Sequence, residues 1–321
     1  MADFVTYDYA VNITTEQEIG AESLDYIRNV AVVCVNKDGA ATEIEVLTAT
    51  NKTAVTDKTD AQGVTDLFDG GLNRVALIVL PQSDTTIVSA KDTIAAQENK
   101  VLTVLISNEI TGTSAEITQN AKLPGGVIGK AFVSADVEEA KVLAATECAF
   151  VDNDQALGGM YYAFGKMLSD LTTWTNQQYL VHGKTATTVT VGDVGTAETY
   201  FSDRLSFYID DEALGRNLGF FVAGAKSIVD RYVRAEVSRK IQEVGLQYIQ
   251  KNKPNNSENT RELLTLEERQ VFTTYENAGL LVAGESTLTI TESPTDEFMA
   301  NGTFSMELPS ALWRLAIKLQ G

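Results

Sequence analysis

Three six-residue runs constrain this chain more than anything else in it: Val30–Val35 (VAVVCV), Val75–Leu80 (VALIVL) and Val101–Ile106 (VLTVLI). Each is apolar at nearly every successive position, where a strand facing water on one side would alternate. Each must therefore be covered on both faces, which places it inside a sheet with helices above and below. Further strands are expected at Ile44–Ala49 and Val127–Val133, with helices at Gly63–Phe68, Thr85–Glu98 and Ala135–Glu147 between them. This is the order of an open α/β layer structure in a mixed α+β chain, occupying residues 21–195. At 321 residues the chain is too long for one core alone, and a second unit is expected behind it.

The second unit has a different pattern. A helix over Gln155–Trp174 brings Leu157, Met160, Tyr161, Phe164, Met167, Leu168 and Leu171 to one face, and the region around His182–Thr199 reads as a connection with a short strand. Gly158, Gly159 and Gly165 each weaken that helix by roughly 1 kcal/mol relative to Ala, so burial must hold it. From residue 196 to 308 an α+β unit is expected. It opens with a strand at Leu205–Asp210, broken by Asp211 and Glu212. A long helix follows with Val229, Val233, Val237, Ile241, Val244 and Tyr248 as its apolar stripe. Arg231 and Arg234 fall on its other face. Lys251 to Ser257 stop it, with basic residues at the negative end of the helix dipole. A shorter helix is expected from Leu266 to Asn277 behind Thr265, then strands at Thr287–Thr291 and Gly302–Leu308.

Both ends of the chain alternate like strands. Val5, Tyr7, Tyr9, Val11 and Ile13 share one face of an N-terminal arm within residues 1–20, and Trp313, Leu315, Ile317 and Leu319 share one face of a C-terminal arm at 309–321. Neither arm has a hairpin neighbour in sequence. Its partner must come from long range, either its own sheet or the sheet of another copy. The polar stretch Thr15–Arg28 tethers the first arm, and a turn near Pro309 precedes the second.

Little in the chain points to chemistry. With 25 Lys+Arg against 44 Asp+Glu the net charge is −19, which repels phosphate backbones and anionic lipid, so no nucleic-acid partner and no membrane insertion are expected. No apolar run approaches the ~20 residues of a membrane span, and the opening residues do not resemble a secretory leader, so a cytosolic place of synthesis is expected. The single histidine, His182, cannot build a multi-histidine metal site, and no triad pattern surrounds it. Cys34 and Cys148 form no CxxC pair; Cys34 reads as a buried small apolar residue. Leu123–Lys130 (LPGGVIGK) has Pro124 where a phosphate loop needs its first glycine and Ala131 where it needs Ser or Thr, so it reads as a turn entering a strand. Asp152-Asn153-Asp154 lacks the spacing of a calcium loop and reads as helix capping by Asp154; Asp210-Asp211-Glu212 reads as a capping turn between strand and helix. No catalytic residue, cofactor or metal is expected.

The stretch LSFYIDDEALGRNLGFFVAGAKSIVDRYVR (205–234), the helix after it, the ENAGLLVAGESTLTI segment (276–290) and the terminal strand together resemble the C-terminal domain of contractile tail sheath proteins of phages and related injection machines. The chain is short for that family, as a minimal sheath would be. The resemblance implies that residues 21–195 form an outer domain and 196–308 an inner one, with arms from neighbouring subunits completing the inner sheet. It implies a non-enzymatic structural subunit in the virion tail, assembled in the host cytoplasm. Its partners would be itself, a tail tube protein, and baseplate and tail terminator proteins. On this reading Arg231, Arg234 and Arg239 are candidates to face the tube. The alternatives are another self-assembling tail lattice protein of tube or baseplate, or an α/β ligand-binding domain or enzyme.

Overall fold

A computed structural model of the chain describes residues 12–14, 29–98, 100–123, 125–152, 157–169, 190–191, 194–211, 215–224, 226–252, 254–294 and 300–308. In chain order the elements begin with β1 (Asn12–Thr14), β2 (Val30–Val35), β3 (Glu45–Ala49), α1 (Lys52–Thr56), α2 (Asp66–Asp69), β4 (Val75–Leu80), α3 (Ile87–Ala95) and β5 (Thr103–Ile106). They continue through α4 (Ser114–Asn120), β6 (Val127–Val133), α5 (Val137–Ala144), β7 (Cys148–Asp152), α6 (Gly159–Ser169), β8 (Thr190–Val191) and α7 (Val194–Ser202). The last third holds β9 (Phe207–Asp211), β10 (Gly215–Phe220), β11 (Val222–Ala223), β12 (Lys226–Ser227), α8 (Ile228–Asn252), α9 (Glu258–Asn277), β13 (Thr287–Glu292) and β14 (Ala300–Ser305).

The fold is mixed α/β. A six-stranded sheet runs in the order β3-β4-β2-β5-β6-β7, parallel throughout except for the edge strand β3. Its central strands are buried on both faces, as their unbroken apolar runs require. Along β2, Ala31, Val33 and Val35 enter one core with Ile87, Ala90 and Ile94 of α3, Ile117 of α4 and Leu143 of α5. Val30, Val32 and Cys34 enter the other, against Val55 of α1, Leu67 of α2, the apolar face of α6 and the first turns of α8. That second core continues without a break through α8 to Phe272 of α9 and to Leu288 and Phe304 of β13 and β14.

Several elements were hidden from periodicity. β7 is only five residues long and follows α5 with no Gly or Pro between them, so its wholly buried CAFVD run merges into the helix pattern. α4 is marked by a capping box in which the Thr113 side chain bonds the Glu116 amide and Glu116 returns the bond. α9 starts at Glu258, eight residues before the apolar start at Leu266, because the Ser257 hydroxyl accepts from the Thr260 amide. Asp210 and Asp211 pair with Arg216 and Gly215 across the β9–β10 hairpin, so the expected strand-to-helix turn is a strand-to-strand one. Position 195 marks no gap in the packing either. Leu205, Phe207 and Val222 join the α/β core, and Ser206 bridges to Phe150 beside β7.

Gly165 of α6 is explained by a close crossing with α2. A Cβ at Gly165 would stand 2.5 Å from the Leu67 carbonyl oxygen and 3.0 Å from the Gly70 Cα, and one at Gly70 would stand 2.6 Å from the Lys166 nitrogen. All of these obstacles are backbone, so the side chain cannot be accommodated by a rotamer change. Gly165→Ala is expected to lower stability by about 2 kcal/mol, clash outweighing the gain in helix propensity. Urea unfolding checks this; a stabilised variant would mean the crossing is loose.

Candidate assembly surface

Helix α9 carries a small sheet at the C-terminal side of the molecule. Leu264, Val271, Phe272 and Tyr275 form its buried stripe, and Gly279, at φ 72°, turns the chain after it. Leu280 and Leu281 are buried behind that turn, and the Val282 amide donates to the Glu307 carbonyl at 2.9 Å, so both ends of the β13–β14 hairpin start from one place. The hairpin is antiparallel, with Leu288 opposite Phe304 on the face toward α9. The Phe304 ring lies 6.2 Å from that of Phe272. The other face is a polar row of exposed Thr287, Thr289, Thr291, Thr303 and Ser305, with Thr287 and Ser305 hydroxyls 2.7 Å apart. Arg269 of α9 donates to the Leu288 carbonyl at 3.4 Å, and Arg261 lies 3.6 Å from Glu292.

On the other side of β14 lies β1, added in parallel from nearly 290 residues away, with Asn12, Ile13 and Thr14 opposite Asn301, Gly302 and Thr303. The sheet order is β1-β14-β13. Among the described residues nothing pairs with the outer edge of β13. That edge, TLTITE, contains neither Lys nor Pro and no bulge against β14, so it lacks the devices that usually block strand addition. An edge of this kind can accept a further strand through main-chain hydrogen bonds.

Of the arm residues singled out from sequence, Ile13 stands in β1, within the chain's own sheet. Val5, Tyr7, Tyr9, Val11, Trp313, Leu315, Ile317 and Leu319 lie outside the described residues, as do His182, Asp154 and Glu212. The three arginines of α8 are placed differently from the free charged face the sequence suggested. Both rows of the helix's first half are buried, Val229, Val233, Val237 and Ile241 on one and Tyr232, Ala235, Glu236 and Ser238 on the other. Arg231 therefore reaches into the α/β sheet, donating to the Gly126 carbonyl at 2.9 Å and the Thr146 carbonyl at 3.2 Å, with Glu147 at 3.5 Å. Arg234 donates to the Met306 carbonyl at 3.4 Å, and Arg239 pairs with Glu236 at 2.6 Å. The Tyr232 hydroxyl bonds Thr103 of β5. These contacts fasten the helix to the sheet on one side and to the C-terminal hairpin on the other. Sequence spacing alone could not find them, because the second buried row is made of Tyr, Ala, Glu and Ser.

The chemistry available elsewhere is limited. Burial pushes the Cys34 and Cys148 thiols up to about 12, far from a reactive thiolate. Among the described residues no group of three or more His, Cys, Asp or Glu side chains could hold a metal ion. No helix among them is long and apolar enough to cross a membrane. Asp152 is buried beneath α6, where its carboxylate accepts from the Gly159 amide and caps that helix.

No protein-family model matches the chain, and no curated protein matches it. Solved structures do. A chain in the baseplate of the anti-feeding prophage is similar with a TM-score of 0.65 and 10% identity, over 96% of each chain. The helical sheath of the anti-feeding prophage in its contracted state gives 0.62 and 11%, over 94% of each chain. The contracted sheath complex of PVC, an extracellular contractile injection system, gives 0.64 and 10%, over 96% of this chain and 98% of that one. The chain thus has the fold of these contractile injection system proteins from end to end.

The Arg231 contacts generate a direct test. Arg231→Met leaves the buried Glu147 carboxylate with the Ile128 amide as its remaining donor, and is expected to cost about 3 kcal/mol in chemical denaturation. Adding Glu147→Gln is expected to recover part of that loss. A loss no larger than that of an exposed ion pair would show that the clamp is unimportant.

Proposed function

We propose that the chain is a structural subunit of a contractile tail sheath, which polymerises as stacked rings around a tail tube and shortens to drive the tube through a host envelope. The observation that carries this reading is the end-to-end likeness in fold to sheath subunits seen in contracted assemblies, covering 94% or more of both chains in each case.

In this reading residues 21–195 form the outward part and 196–308 the inner part, and the β1-β14-β13 sheet is where subunits join. Ile13, expected in the same arm, is used within the chain's own sheet; the arm residues Val5, Tyr7, Tyr9 and Val11 before it, and Trp313, Leu315, Ile317 and Leu319 at the other end, supply strands to neighbouring copies. The open edge of β13 is one place to receive them. Strand exchange suits a lattice that must change its packing without coming apart, because main-chain pairing survives rotation of the bodies it links. The subunit needs no cofactor and catalyses no reaction in this role. Its partners are other copies of itself, a tail tube protein, and baseplate and terminator proteins, and its location is the virion tail after assembly in the host cytoplasm. A tube contact through Arg231, Arg234 and Arg239 is the weakest part of this reading, because all three are engaged inside the chain. A second reading, a sheath-like subunit of the baseplate itself, is favoured by the match to a chain in a baseplate assembly.

Negative-stain microscopy of the purified protein separates these readings. A sheath subunit forms long hollow tubes, a baseplate subunit discrete rings, and a ligand-binding domain or enzyme neither. Two variants then test the arms. Removal of residues 1–11, which spares β1, and separately the pair Thr289→Lys and Thr291→Lys on the exposed β13 row, are expected to leave the circular dichroism spectrum unchanged and to abolish tubes. Normal tubes from either variant would refute that part of the joining scheme.

A further inference from the structure

Within the buried stripe of α9 stands one carboxylate. Glu268 lies one turn from Leu264 and one turn from Phe272, on the face packed against α8 and β13, and is 3% exposed. None of the described residues donates a hydrogen bond or an ion pair to it. The other buried carboxylates of this region are provided for: Glu236 has Arg239, and Glu147 has Arg231 and the Ile128 amide.

The charges on the elements around Glu268 are committed elsewhere. On α8, Arg239 pairs with Glu236 and Lys240 with Glu243 at 2.9 Å. On α9 and β13, Arg261 pairs with Glu292, and Arg269 donates to the Leu288 carbonyl. None of these neighbours offsets the loss of water, and burial alone pushes the Glu268 carboxyl up to about 8. An ionised carboxylate without a partner is poorly tolerated in such a place, whereas the protonated acid is tolerated.

We infer that the packing of α9 on α8 is a proton-gated joint: with Glu268 neutral the helix is seated, and with Glu268 ionised α9 and the β13–β14 hairpin it carries are loosened from α8. This does not depend on the assembly reading, although the hairpin concerned is the one with the open edge. The direction follows from linkage. A carboxyl held above its unfolded value contributes stability that is fully present below the ordinary carboxylate range and is lost as pH rises toward 8. Above that point the folded protein itself ionises, and the loosening becomes local.

Hydrogen exchange of the full-length chain at pH 6.5 and pH 9.0, with rates corrected for intrinsic exchange, tests this. In the wild type, amides of 264–276 and 287–292 are expected to lose at least tenfold more protection between the two pH values than amides of β2 and β5. Glu268→Gln is expected to remove that differential loss, and its thermal midpoint to rise relative to wild type as pH goes from 5 to 8. Equal differential loss in wild type and Glu268→Gln would overturn the inference. If the amide variant does not fold, Glu268→Leu takes its place, and the wild-type profile decides by itself: uniform loss across α9, β2 and β5 overturns the joint.

Discussion

Helix α8 is wedged between the six-stranded sheet and α9, and the position of everything after it depends on that wedge. Its first turns lie on the six-stranded sheet, where the Tyr232 hydroxyl bonds Thr103 and Arg231 reaches the carbonyls of Gly126 and Thr146. Its other side receives α9 and, through Arg234, the strand end at Met306. A single apolar core therefore runs from Val32 in the centre of the α/β sheet to Phe304 in the C-terminal hairpin. A continuous, close-packed core of this kind transmits displacement from one end to the other with little compression.

The α/β half of this structure is written openly in the sequence. β2 and β4 span the residues their apolar runs mark, because a strand buried on both faces has no polar position to blur its ends; β6 also keeps its expected bounds, although Lys130 interrupts its run. The C-terminal half is less legible, for identifiable reasons. β10 carries Gly215 and Gly219, which leave it without an alternating pattern, and it is defined by its pairing with β9. The first turn of α9, Glu258–Arg261, is polar, so only the Ser257 cap reveals it. The arginines of α8 look solvated in a helical projection because the row beside them contains Glu236 and Ser238, yet that row is buried. The candidate joining sheet was visible only as alternation in β13 and β14 and at the chain ends. Its order, with β1 parallel to β14, is a long-range fact that no local pattern encodes.

The surplus of negative charge fits this arrangement. Among the described residues of the C-terminal half, Arg231, Arg234, Arg239, Lys240, Arg261 and Arg269 are engaged on carbonyls or in ion pairs. A net charge of −19 opposes nonspecific association between copies of the chain. The contact that remains favourable under that repulsion is directional: strand edges such as β13, lined with Thr and Ile, pair through the backbone and are indifferent to net charge.

The central physical claim is that α8 belongs to the same cooperative body as the α/β sheet. Native-state hydrogen exchange at pH 6.5 with increasing denaturant measures this directly. The account predicts that amides of residues 232–241 open only in the global unfolding event, together with those of β2 and β5. If those amides instead open with α9 in a separate event of lower free energy, while the six-stranded sheet stays protected, the wedge does not hold the molecule together and the account is wrong.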